Sequence, residues 1–146
     1  MILHIVGYLE GEMSKVLVSF DFDDTISGQG GYIEHICQIL RNHIAHGDEV
    51  MILTARIPEH DEEAWRNENS PERIVLPDRL KALGLDHLTV AYTRHEPKGP
   101  HAARLGVKIH YDNNPVEIVS CRAHGVIGIP IGPEHEETGK AGKVAV

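Results

Sequence analysis

Short apolar runs alternate along the chain with segments whose apolar residues recur every three or four positions. Runs of the first kind are typical of strands buried on both faces of a parallel sheet, and spacing of the second kind indicates helices. The runs predict strands at 16–20, 49–53, 88–92, 107–111 and 126–131. Apolar spacing predicts a helix at 32–46, proline near the start and glycine past the end predict helices at 78–83 and 115–123, and further helices are expected at 61–67 and 98–105. This alternation predicts an α/β fold in which helices cover both faces of a parallel sheet, a three-layer α/β/α sandwich.

Three carboxylates follow the first predicted strand. Asp21, Asp23 and Asp24 come directly after Phe20, and Thr25 follows them. Burying carboxylates beside a core strand is costly unless something pairs with them. The carboxyl end of a central strand is also where open α/β sheets place their chemistry. Because Mg²⁺ prefers oxygen ligands, the sequence predicts a Mg²⁺ site at this edge of the sheet.

The string D-F-D-D-T at 21–25 resembles the D-x-D-x-T signature of the haloacid dehalogenase (HAD) superfamily. Most members of that superfamily are phosphatases that form a covalent aspartyl-phosphate, on a Rossmann-like sandwich. The resemblance implies that Asp21 is the nucleophile and that Asp23 is the general acid and base, with its backbone carbonyl also binding Mg²⁺. A string of five residues also fits an acidic turn that closes a strand, so the order of the later motifs carries weight.

Later positions match the remaining motifs of the family in the same order. Thr54 follows the second predicted strand at its carboxyl end, where the family has a Thr or Ser that hydrogen-bonds the transferring phosphoryl group. Lys98 matches a lysine that balances the charge of the nucleophile and the phosphoryl group, and Arg94 is the rival cation four residues earlier. Asp112 matches an acidic Mg²⁺ ligand, and Asn113 stands where the family often has a second Asp, so it would be a ligand without charge.

The segment at 57–77 is polar and acidic, and it leaves the second strand near the predicted site. We expect it to be a modest insert beside the active site, in a chain without a large cap domain. Arg56, just before the insert, is either a phosphate contact or an ion-pair partner of Glu59 or Asp61. Trp65, the single tryptophan, either stacks on the substrate or anchors the insert.

The length and net charge of the chain limit the number of domains and the kinds of partner that we expect. The 146 residues predict one domain, with 1–14 as an N-terminal extension and 134–146 as a tail. The net charge of −8 weighs against a broad surface for duplex nucleic acid. Without a long apolar run, we expect no membrane partner. Cys37 and Cys121 form no C-x-x-C motif, which favours buried thiols in a reducing, cytoplasmic location.

Together these observations predict a Mg²⁺-dependent phosphate monoester hydrolase that acts on a small phosphorylated metabolite or nucleotide. One alternative is a phosphatase for polynucleotide ends, which a capless site would admit and the acidic charge disfavours. A second alternative is a receiver-like signalling domain that accepts a phosphoryl group without catalysis. The sequence leaves the oligomeric state open.

Overall fold

A computed structural model describes residues 16–27 and 31–131 of the chain. The predicted extension at 1–14 and the predicted tail at 134–146 lie outside the described residues. The strands are β1 (Leu17–Phe20), β2 (Glu49–Thr54), β3 (Thr89–Tyr92), β4 (Val107–Asp112) and β5 (Ile127–Pro130). The helices are α1 (Gly31–His46), α2 (Glu63–Asn69), α3 (Leu76–Ala82), α4 (Lys98–Leu105) and α5 (Pro115–Ala123).

The five strands form one parallel sheet in the order β3-β2-β1-β4-β5. The chain first builds outward from β1 to β3 and then crosses over to place β4 on the other side of β1. The carboxyl ends of β1 and β4 therefore lie side by side where the direction of winding reverses, which is where open α/β sheets leave a crevice.

Two apolar clusters lie on opposite faces of the sheet because side chains alternate along each strand. Val50 and Ile52 of β2 contribute to a cluster with α1 and α3 residues such as Leu40 and Leu80. The intervening Met51 and Leu53 contribute to a second cluster with residues of α4, β4 and α5: Ala102, Val107 and Cys121. The predicted α/β sandwich is confirmed. Cys37 and Cys121 are buried thiols in different clusters.

The segment between β2 and β3 differs from the predicted bounds. A single turn at Pro58–Asp61 precedes α2, so the helix predicted at 61–67 runs from Glu63 to Asn69 instead. The helix predicted at 78–83 begins at Leu76, because Pro77 occupies its first turn, where its missing N–H has no partner to lose. In the ranges 16–27 and 31–131, no helix is both long and apolar enough to cross a membrane.

Candidate active site

The centre of the candidate site is the ammonium group of Lys98, which is only 2% exposed. Its Nζ donates to Asp21 Oδ1 at 2.5 Å and to Asp112 Oδ2 at 2.7 Å. Asp21 follows β1, Asp112 ends β4, and Lys98 begins α4. Residues separated by 77 and 14 positions thus meet at the crevice where β1 and β4 end side by side.

Asp21 is fixed from its own strand and from the neighbouring one. Its backbone N–H donates to the carbonyl of Tyr111 at 2.9 Å, which continues the pairing of β1 with β4. Its Oδ2 accepts a hydrogen bond from Thr25 Oγ1 at 3.1 Å. The tight turn at Phe22–Ile26 makes this contact possible, since it brings the hydroxyl four residues back towards the end of the strand. Asp24 in this turn has a φ of 55°, in the left-handed region that Asp tolerates better than most residues.

A chain of buried hydrogen bonds that links β1 to the neighbouring β4 holds the carboxylate of Asp112. His110 Nε2 donates to Asp112 Oδ2 at 2.7 Å, and the other ring nitrogen, Nδ1, accepts from Ser19 Oγ at 2.7 Å. Ser19 and His110 are opposite each other in the β1–β4 register, which explains the contact. Asp112 Oδ1 accepts from the backbone N–H of Asn114 at 2.9 Å. The carboxylate of Asp112 is therefore oriented on both oxygens.

The ammonium group of Lys98 binds two buried carboxylates, and all three groups have shifted pKa values. Burial opposes ionisation of Asp112, but His110 and Lys98 outweigh it and hold the pKa of Asp112 below its usual value. Burial, with repulsion from Asp112 and Asp23, raises the pKa of Asp21 to about 7 despite the attraction of Lys98. Although burial opposes it, the two carboxylates raise the pKa of Lys98. Burial lowers the pKa of His110, which favours the neutral ring, and the carboxylate of Asp112, which can only accept, favours the tautomer with the proton on Nε2.

Asp23, the predicted general acid and base, has a half-exposed side chain that is held by Arg56. Arg56 Nη2 donates to Asp23 Oδ1 at 2.7 Å, and its Nε lies 3.1 Å from each Asp23 oxygen. On the other side, Arg56 Nη1 donates to Asp61 and, at 2.7 Å, to the carbonyl of Ile74. Of the two predicted roles, the ion pair with Asp61 is seen, buried rather than at the surface, and the phosphate contact stays a prediction.

A cavity of about 390 Å³ opens over this cluster. Its walls come from the ends of β1, β2 and β4 and the starts of α4 and α5: Asp21, Asp23, Asp24, Ala55, Lys98, Asp112, Asn113, Asn114, Pro115 and Glu117. Thr54 is fully buried, and its Oγ1 accepts from the backbone N–H of Arg56 at 3.2 Å. The structure thus brings most predicted site residues to one cavity, whereas Thr54 and Arg56 do not line it.

Arg94 and Trp65 lie elsewhere. Arg94 is exposed and forms a two-bond pair with Glu59, at 2.7 and 3.1 Å. Lys98, not Arg94, is therefore the cation that lines the cavity. Trp65 stacks on His60, with ring centroids 4.0 Å apart, and Arg73 lies 5.9 Å from its ring. These contacts match the interpretation that Trp65 anchors the insert.

The donors at this edge have the chemistry that Mg²⁺ prefers. Among the residues that the structure describes, no three His, Cys, Asp or Glu side chains are grouped as they would be to enclose a metal ion by themselves. A cation here would depend on the carboxylates of Asp21 and Asp112 together with carbonyl oxygens and water. That set fits Mg²⁺, which usually keeps several waters. Burial, with repulsion from Asp112 and Asp23, raises the pKa of Asp21, so further positive charge would favour its ionised form.

Sequence reasoning missed three polar residues that hold the site together. Ser19 and His110 orient Asp112, and Glu117 Oε1 accepts from the backbone N–H of Lys98 at 3.0 Å, where α4 begins. The available signal was a polar residue inside an apolar run, as in V-L-V-S-F and V-K-I-H-Y. A buried polar side chain needs a partner, and each of these has one close to the candidate site.

No family model matches this chain, and no curated protein matches it. Among solved structures, it is similar to a chain of the "Structure of the Pnkp1/Rnl/Hen1 RNA repair complex", with 13% sequence identity and a TM-score of 0.48. The similarity covers 81% of this chain and 42% of that chain, so this chain spans less than half the length of the one it matches. Similarity at this level assigns no family.

Proposed function

We propose that this protein is a Mg²⁺-dependent hydrolase of phosphate monoesters that works through an aspartyl-phosphate on Asp21. The observation that carries the proposal is the buried ammonium of Lys98, which joins the carboxylates of Asp21 and Asp112 below a cavity. Resemblance of D-F-D-D-T and the later motifs to the HAD superfamily supports the same chemistry. We propose a small phosphorylated substrate and a cytoplasmic location.

The first step transfers the phosphoryl group to the protein. A carboxylate oxygen of Asp21 forms a bond to phosphorus while the bond from phosphorus to the leaving oxygen breaks. Asp23 gives its proton to that leaving oxygen, so the product leaves as a neutral alcohol. Lys98 stabilises the negative charge on the phosphoryl oxygens, because its ammonium is buried and already oriented.

The second step restores the protein. Asp23, now ionised, takes a proton from a water molecule, whose oxygen attacks phosphorus and releases Asp21 as a free carboxylate and inorganic phosphate. Thr25 holds Asp21 Oδ2 through both steps, since its hydroxyl donates from a buried position. Thr54 would need to turn its own hydroxyl proton towards the cavity to assist the phosphoryl group, as the resemblance implies.

Bound Mg²⁺ would add positive charge at the phosphoryl oxygens and favour the ionised form of Asp21. The residues that would hold it are Asp21 and Asp112 through their carboxylates, Asp23 through its backbone carbonyl, and Asn113 through its side-chain oxygen.

A panel of phosphorylated probes tests the proposal. With Mg²⁺, we expect release of inorganic phosphate from at least one of 4-nitrophenyl phosphate, mononucleotides, sugar phosphates and 3′-phosphorylated oligonucleotides, and no release in excess EDTA. Asp21→Asn should lower kcat at least about 1,000-fold, because the nucleophile is removed while the shape is kept. Asp86→Asn, an exposed change of the same kind, is the control and should leave kcat unchanged.

Appreciable turnover by Asp21→Asn, with a circular dichroism spectrum like that of the unmodified protein, would reject Asp21 as the nucleophile. A phosphorylated protein that persists for hours without releasing phosphate would instead favour the receiver-like alternative.

A further inference from the structure

The guanidinium of Arg56, one of the predicted phosphate contacts, is already bound on all sides by other groups of the protein. Its side chain is 5% exposed, and the face of its guanidinium lies 4.7 Å from the centre of the Phe22 ring. Asp23, Asp61 and the carbonyl of Ile74 take hydrogen bonds from all three of its nitrogen atoms. A phosphoryl group would have to displace Asp23 to gain the planar fork that makes arginine a good phosphate ligand.

Asp61 binds Nη1 of Arg56, whereas Asp23 binds Nε and Nη2. Asp61 is buried, belongs to the turn at Pro58–Asp61, and also accepts from the backbone N–H of Leu76 at 3.3 Å, where α3 begins. Arg73 lies beside it, with Nε 3.7 Å from Asp61 Oδ1. Two donors, Arg56 and the N–H of Leu76, thus bind one oxygen of a buried carboxylate, which limits the freedom of Asp61 and of the guanidinium that it binds.

Arg56 binds the two carboxylate oxygens of Asp23 unequally. Oδ1 receives two hydrogen bonds, at 2.7 and 3.1 Å, whereas Oδ2 receives one, at 3.1 Å. Oδ2 is therefore the oxygen better placed to carry a proton while Oδ1 stays bound. Asp23 also lies on the wall between the cavity over Lys98 and a second cavity of about 370 Å³, which the insert lines with Ser70, Glu72 and Arg73.

We propose that Arg56 is a positioning residue for Asp23, clamped by Asp61, and not a phosphate ligand. The inference rests on the proposed function, and it assigns proton transfer to Asp23 Oδ2. By binding Oδ1, Arg56 holds Oδ2 towards the oxygen of the leaving group. The insert at 57–77 thereby acts on the chemistry indirectly, through the contact of Asp61 and Ile74 with one side chain.

Leaving-group dependence separates this role from the alternatives. An alkyl leaving group needs a proton in the transition state, whereas an acidic phenol does not. We expect Arg56→Lys and Asp61→Asn to lower kcat/KM for benzyl phosphate about 100-fold and for 2,4-dinitrophenyl phosphate less than about 3-fold. Arg104→Lys, an exposed change on α4, should affect neither substrate.

A double-mutant cycle tests whether Arg56 acts through Asp23. In an Asp23→Ala background, Arg56→Lys should cause no further loss with benzyl phosphate, because the group that it positions is gone. Equal losses with both substrates, in both backgrounds, would overturn the proposal, whether they came from a phosphate contact or from misfolding. Asp61→Asn, which leaves every residue lining the two cavities intact, gives an independent result if Arg56→Lys folds poorly.

The outcome for the proposed function is separate. An unmodified protein that hydrolyses neither these two esters nor any probe of the panel would reject the hydrolase itself and the role of Arg56 with it. An unmodified protein that hydrolyses both, with variants that lose activity equally on both, would reject only the role of Arg56.

Discussion

At the scale of single residues, the candidate site is defined by an imbalance of charge. Lys98 lies between Asp21 and Asp112, but Asp112 has further donors in His110 and in the backbone of Asn114. Among the residues that the structure describes, the carboxylate of Asp21 has one further donor besides the shared ammonium, the neutral hydroxyl of Thr25. The carboxylate assigned to the nucleophile is thus the one whose ionised form is the less stabilised by this protein.

This imbalance predicts how stability depends on pH in the absence of divalent cations. The pKa of Asp21 rises from 3.8 to about 7 on folding, so the folded state binds the proton more tightly and loses stability as pH rises from about 4 to 7. Asp21→Asn removes the titration. We compare the free energies of unfolding of the variant and the unmodified protein in EDTA. We expect the difference, variant minus unmodified, to be roughly 1–3 kcal/mol larger at pH 8 than at pH 4.

Urea denaturation at both pH values measures the effect, with Asp86→Asn as the matched surface control. A difference between Asp21→Asn and the unmodified protein that is the same at pH 4 and pH 8 would show that burial of the Asp21 charge carries no such penalty.

Residue-scale contacts are where sequence analysis was weakest. Asp21, Lys98 and Asp112 could be placed at one edge because the two aspartates follow predicted strands and Lys98 begins a predicted helix. The orientation of the Arg56 side chain could not be predicted, because it depends on Asp23 and Asp61, which lie 33 and 5 positions away on separate turns. Pairing of Ser19 with His110 depends on the register between β1 and β4, which no local pattern specifies.

At the scale of elements, the position of Lys98 depends on how closely α4 packs on α5. The backbone N–H of Gly99 donates to Ser120 Oγ at 2.9 Å, and the N–H of Lys98 donates to Glu117. A Cβ atom at position 99 would overlap the backbone carbonyl of Ser120. The absence of a side chain at Gly99 therefore allows α4 to begin where the ammonium of Lys98 reaches both carboxylates.

Gly99→Ala should consequently separate α4 from α5 and move Lys98. We expect a loss of about 1–3 kcal/mol in the free energy of unfolding and a fall in kcat of at least about 10-fold. Gly84→Ala is the control, because position 84 has a φ of +72° and no atom within 4 Å of an added Cβ. It should lose a similar roughly 1–2 kcal/mol from backbone strain and keep its kcat. Urea denaturation and steady-state kinetics measure both quantities, and a Gly99→Ala protein with normal kcat would contradict the packing argument.

Elements were predicted better than their ends. The five strands and helix α1 follow from apolar runs and periodicity, whereas α3 and α5 were located by the proline near their start and the glycine past their end. α2 was misplaced because it has no buried residue, and an exposed helix leaves no apolar signature. β4 continues one residue further than predicted, and that residue is Asp112, whose buried partners compensate for the charge.

At the scale of the whole molecule, the winding of the sheet brings the motifs together. β1 is central, β4 joins it only after the chain has crossed from β3, and the reversal leaves the ends of β1 and β4 adjacent. This winding helps to bring residue 21 close to residues 98 and 112, which are 77 or more positions away in the chain. The order of motifs in the sequence predicted this convergence because right-handed β-α-β connections leave few alternative topologies.

The central claim, that Asp21 accepts the phosphoryl group, is tested most directly by trapping the covalent intermediate. Borohydride reduces an aspartyl-phosphate to homoserine, which peptide mass spectrometry locates. We predict homoserine at position 21 when the protein is quenched during turnover of a phosphate monoester with Mg²⁺, and none in EDTA or in Asp21→Asn. Turnover without homoserine at position 21, or with homoserine at Asp112 instead, would contradict the account.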